Sequence, residues 1–60
     1  MKLSCQKPTG AVYTYEVECV PRLGEHVCLD CQVYVVTEVR HYVDLNSAFI
    51  NLKDASDGYI

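Results

Sequence analysis

The features that would announce a reaction are missing from this sequence. It has no serine-centred nucleophile elbow, no phosphate-cradling glycine loop and no His-x-x-x-His pair. A chain of 60 residues also offers little wall for excluding water from chemistry. An enzyme is therefore not the expected reading. Basic residues are scarce as well: five Lys and Arg against eight Asp and Glu give a net charge of −3. Lys2, Lys7, Arg22, Arg40 and Lys53 are scattered along the chain. A surface that tracks phosphates along a duplex needs them clustered. A long nucleic acid is not an expected partner, whereas a small anion held by two or three gathered cations is. Apolar runs are short, and Met1-Lys2-Leu3 leads into polar sequence rather than a signal segment. No membrane association is expected, and the cytosol, where thiols stay reduced, is the expected compartment. Tryptophan is absent while tyrosine occurs five times. That balance suggests medium-sized core rings whose hydroxyls sit at a wet edge or an interface.

What is present describes one small domain, residues 1–60. Half of the residues are hydrophobic, enough for a packed core and too many for a disordered chain. A chain this short buries only about 60% of the surface its unfolded form exposes, so self-association is a common supplement.

The apolar pattern has a period of two. A short first strand is expected at residues 2–5, followed by a turn at Pro8-Thr9-Gly10. Over residues 11–20, Tyr13, Tyr15, Val17 and Cys19 fall on one face and Thr14, Glu16 and Glu18 on the other, as in a half-buried strand. Pro21 ends it and Gly24 frees the backbone for a turn. Alternation resumes at residues 26–29, with Val27 and Leu29 inward. Asp30-Cys31-Gln32 reads as a hairpin tip. Residues 33–43 form the longest strand. Tyr34 and Val36 share a face, yet Val39 is out of phase with both, so a bulge near Thr37-Glu38 is expected. After a turn at residues 44–47, Ala48, Ile50 and Leu52 line the inner face of a last strand. Polar turn sequence at residues 54–58 precedes Tyr59 and Ile60. The expected fold is all-β: a small SH3-like barrel or a strongly bent antiparallel sheet of four to five strands.

The run P-R-L-G-E-x-V at residues 21–27, followed by Y-x-V-x-x-V-x-H at residues 34–41, resembles a pattern of small SH3-like β-barrel proteins from phages and bacteria. The likeness spans residues 20–52. It departs at Cys31, which stands where the hairpin glycine of that pattern usually sits. Such proteins include oligomeric sponges that sequester cyclic nucleotide signals of bacterial defence. The resemblance implies a homo-oligomeric binding protein of the bacterial cytoplasm with an anti-defence role.

Three groups of side chains are candidates for chemistry. Arg22, Arg40 and His41 could contact the phosphate of a small anionic ligand such as a cyclic nucleotide, since Arg presents a planar fork and His a donor. Arg40 and His41 are adjacent on a strand and must face opposite sides. The bland reading pairs Arg40 with Glu38 or Asp44. Tyr42 and Tyr59, beside turns or a terminus, are candidates for stacking on a base, whereas Tyr13, Tyr15 and Tyr34 read as core. Cys28-x-x-Cys31 has the spacing of one zinc knuckle, which Cys5 and Cys19 would have to complete. A second C-x-x-C is lacking, so ordinary thiols are favoured and no cofactor is expected. Asp44, Asp54 and Asp57 fall in turn sequence, where Asp serves its own backbone. Against the ligand-binding reading stand two others: a protein-interaction or virion-assembly adaptor, and a zinc-stapled structural module.

Overall fold

A computed structural model describes residues 1–55; Tyr59, with the turn sequence around Asp57, lies outside the described residues. Five strands follow in chain order: β1 Lys2–Gln6, β2 Val12–Glu16, β3 His26–Leu29, β4 Gln32–Tyr42 and β5 Ser47–Asp54. A 3₁₀ turn at Val43–Leu45 joins the last two. They form one curled sheet in the order β2-β1-β5-β4-β3, a half-barrel whose edges are β2 and β3. The expected all-β, strongly bent sheet is what the chain adopts. One pairing differs from the antiparallel expectation: β1 runs parallel to β5, with Leu3 beside Ala48 and Cys5 beside Ile50. First and last strands meet in the middle of the sheet, and a connection through all the intervening strands separates them.

The concave face holds the core. Leu3 and Cys5 of β1, Tyr34 and Val36 of β4, and Ala48, Ile50 and Leu52 of β5 are all buried there. These are alternate residues on each strand, as the pleat requires. β4 keeps facing inward only because of its bulge. Val36 pairs with Leu52 and Glu38 with Asn51, which leaves Thr37 as the extra residue. Before Thr37 the even-numbered residues point inward; after it Val39 opposite Ile50 and His41 opposite Ala48 do so. The phase break in the sequence is thus a real bulge, and it bends the longest strand around the core.

All three hairpin connections use left-handed backbone, with Gly10 (φ 97°) between β1 and β2 and Asn46 (φ 49°) between β4 and β5. Asp30 (φ 52°) and Cys31 (φ 65°) make the two-residue loop between Leu29 and Gln32. A loop with positive φ at both central residues matches the right-handed twist of the flanking strands.

Two expectations are corrected. The second strand stops at Glu16 rather than continuing to Val20. Because β2 and β3 are opposite edges, residues 17–25 must leave the sheet and cross the open concave side. The last ladder bond is Val17 N–H to the Met1 carbonyl, 2.9 Å. Val17 and Val20 then cap the core from above, while Cys19, expected inward, is exposed. Tyr13 and Tyr15 also sit on the concave face, opposite Cys5 and Leu3, but remain 43% and 39% exposed. They belong to an edge strand with no further strand beyond it among the described residues, so the face is right and the burial is not. Among the tyrosines of the described residues, Tyr34 alone is core; its hydroxyl donates to Gln32 Oε1 at 2.9 Å.

The two edges meet at one end through charge. Lys7, just past β1, donates from Nζ to Asp30 Oδ2 at the β3–β4 tip, 2.7 Å away. The ammonium lies 4.8 Å from the Tyr13 ring centre and 5.8 Å from that of Tyr34. Its side chain is only 12% exposed, a stem laid over rings with its head on a carboxylate. The hydrogen bond to the Asp30 carboxylate raises the Lys7 pKa above its ordinary value.

Candidate binding groove

At the other end of the half-barrel the crossing segment does not seal the concave face. A groove of about 570 Å³ opens between it and the end of β4. Val39 and His41 form the floor. Glu18, Val20, Arg22 and Leu23 form the opposing wall. The volume lies within the usual range for small-molecule sites, roughly 300–1,000 Å³.

Local sequence explains the wall. Gly24 (φ 85°) sits in a tight turn closed by Glu25 N–H to the Arg22 carbonyl, 3.0 Å. The Glu25 carboxylate reaches back and accepts from the Arg22 backbone amide at 2.7 Å. The turn is then bolted to β4: Gly24 N–H donates to the Val36 carbonyl at 2.9 Å, and Val36 N–H to the Glu25 carbonyl at 3.0 Å. Glycine is required here for its left-handed backbone. Arg22 is consequently held by a fixed turn rather than a loose loop. The bulge at Thr37 supplies the other half, since without that one-residue shift His41 would point to the convex side.

The candidate anion contacts therefore divide. Arg22 and His41, nineteen positions apart, line the same groove. Arg40 does not join them, because it lies opposite Phe49 on the convex face. Its Nε donates to Glu38 Oε2 at 2.6 Å, and Asn51 Nδ2 donates to the other oxygen of that carboxylate at 2.8 Å. The hydrogen bond from Arg40 holds the Glu38 carboxyl below its ordinary range, and the same bond raises the Arg40 pKa. Arg40 is thus committed to a convex-face ion pair, the plainer of the two roles weighed for it. Tyr42, also on the convex side, borders a second hollow of about 500 Å³ with His41, Val43, Asp44 and Leu45. His41 is shared by the two hollows. Tyr59 lies outside the described residues.

The cysteines do not converge. Cys5 is in the core, where burial pushes its thiol pKa up. Cys19, Cys28 and Cys31 are exposed. Cys28 is on β3 with its side chain turned outward, and Cys31 is in the following turn. Among the described residues no group of three or more His, Cys, Asp or Glu side chains is arranged to hold a metal ion. The C-x-x-C spacing straddles a hairpin here, and the two long-range partners it needed are elsewhere.

Sequence reasoning missed part of the groove. Glu18 reads as the solvated side of a strand, Leu23 carries no signal beyond its apolarity, and Val39 signals the bulge but not the groove. Their proximity follows from the crossing of residues 17–25, which alternation alone does not reveal. Large apolar side chains also stand exposed around this end: Leu23, Tyr42, Val43 and Leu45. Among the described residues no helix is long and apolar enough to cross a membrane. Compared with protein-family models, with curated proteins and with solved structures, the chain matches none of them.

Proposed function

We propose that this chain is a non-enzymatic binding protein whose groove takes a small ligand with an aromatic or apolar body and an anionic group. The carrying observation is that Arg22 and His41, singled out by chemistry and distant in sequence, border one mostly apolar hollow of ligand size. Arg22 offers its fork to phosphate oxygens and His41 a further donor. Leu23, Val20 and Val39 provide the apolar surface for a ring. Glu18 on the same wall is an acceptor suited to an exocyclic amine. Phosphate, ring and amine together describe a nucleotide, and a cyclic nucleotide signal of bacterial defence is the ligand we favour. On this reading the protein is a phage-type sponge.

Calorimetric titration against a panel of cyclic mono- and dinucleotides, with inorganic phosphate as control, tests the proposal. Arg22→Ala should weaken nucleotide binding about 10- to 150-fold, the value of one hydrogen bond to a charged group. Arg40→Ala should leave affinity unchanged. Equal losses from the two variants would place the ligand elsewhere, and no heat from any nucleotide would reject a nucleotide ligand. A protein-interaction adaptor is the second reading, favoured by the exposed Leu23, Tyr42, Val43 and Leu45 around the same end.

A further inference from the structure

The open edge of β2 is self-complementary. Val17 N–H bonds the Met1 carbonyl and Lys7 N–H bonds the Ala11 carbonyl, at 2.9 and 2.8 Å. Those contacts set the phase of the β1–β2 ladder, in which Leu3 faces Tyr15 and Cys5 faces Tyr13. Hydrogen-bonded and non-hydrogen-bonded pairs alternate along an antiparallel ladder. Tyr13 and Tyr15 therefore spend their backbone groups on β1, and the N–H and C=O groups of Val12, Thr14 and Glu16 point to the free edge.

Natural proteins blunt such an edge with proline, lysine, a bulge or an inward charge. Val12–Glu16 carries none of these and is rich in β-branched and aromatic residues. Its one charge is already engaged: Glu16 Oε2 accepts from the Met1 ammonium at 2.9 Å. The concave-face rings of Tyr13 and Tyr15 are left substantially exposed beside it.

We propose that β2 pairs antiparallel with β2 of a second copy of this chain, about a two-fold axis through Thr14. In that register Thr14 meets Thr14 and Val12 meets Glu16 as hydrogen-bonded pairs, using every outward backbone group of the strand. Tyr13 meets Tyr15 as the closer, non-hydrogen-bonded pair, on the concave side where both rings now lie open. The pairing uses neither Arg22 nor His41, and β1 and β5 stand between β2 and the strand that carries His41, so it is tested separately from the ligand.

Light scattering after size exclusion, or sedimentation equilibrium, over a dilution series tests it. The wild-type protein should have twice the 6.8 kDa chain mass at high concentration. Thr14→Pro removes the N–H at the axis, which points away from β1, so the chain's own ladder is spared. Thr14→Lys sets like charges face to face across the axis. Each variant should have the mass of one chain with an unchanged far-ultraviolet spectrum, whereas Arg22→Ala should keep the dimer. Where Thr14→Pro fails to fold, Thr14→Lys decides. A wild-type protein that stays at one chain mass throughout, or a folded Thr14 variant that remains dimeric, overturns the proposal.

Discussion

Replacing Cys31 with glycine should stabilise this protein, although the change removes a side chain and adds no contact. Cys31 holds φ 65° at the second position of a two-residue hairpin loop, beside Asp30 at φ 52°. Left-handed backbone costs a non-glycine residue about 1–2 kcal/mol through crowding of its Cβ. Asp relieves part of this with its short polar side chain, and Asp30 is further held by Lys7. Cys31 is exposed and has no such relief. Against the gain, glycine widens the unfolded ensemble at a cost of about 0.4–1 kcal/mol. The net is a stabilisation of about 0.5–1 kcal/mol, or a rise in Tm of about 2–8 °C for a domain of this size. Thermal unfolding under reducing conditions, followed by far-ultraviolet circular dichroism, measures it. Cys31→Ala keeps the backbone penalty without the thiol and should melt with the wild type. A Cys31→Gly protein that melts at or below the wild-type temperature would refute the reasoning, because residue 31 would then not be left-handed and the Leu29–Gln32 register would be wrong. A confirmed gain would mean the chain keeps a thiol at this tip at the expense of stability.

Ile50 is fully buried on the central strand, so Ile50→Ala should cost about 2–5 kcal/mol. With total stability of about 3–9 kcal/mol expected at this length, a urea titration should find that variant near or past its threshold. Acid should destabilise the wild type through Glu16 and Glu38, whose carboxyls titrate lower in the folded chain because the Met1 ammonium and Arg40, respectively, hydrogen-bond them. Their contribution is complete above the ordinary carboxylate range and disappears as pH falls through the depressed folded values. Urea midpoints recorded from neutral to acidic pH should therefore fall less steeply for Glu38→Gln, and an unchanged slope would contradict the ion pair. Lys7 acts in the opposite sense: its raised pKa means a contribution lost only as pH climbs through the elevated value.

Much of the sheet was legible because a strand writes its faces into the sequence with a period of two. The inner rows Tyr34/Val36 and Ala48/Ile50/Leu52 could be read directly, as could the tip at Asp30-Cys31, whereas the first strand was legible without its inner face. The bulge was legible too, since Val39 breaks phase with Val36 and only an inserted residue restores it. Ligand chemistry was half legible. Arg22, Arg40 and His41 could be named as donors, with Arg40 and His41 on opposite faces, but which of those two side chains lines the groove depends on the phase of β4 after the bulge.

Local alternation, turn chemistry and the interrupted phase of β4 thus determined by themselves that the chain is a bent sheet, and which rows of side chains seek the interior. Only the tertiary arrangement decided the parallel meeting of β1 with β5, the exposure of Tyr13 and Tyr15, and the groove between Arg22 and His41. The physical reason is that alternation assigns a residue to a face but says nothing about the strand's neighbours. An edge leaves a ring open to water, and a crossing between opposite edges brings distant residues together. Both follow from strand order, which is fixed by packing across the whole sheet.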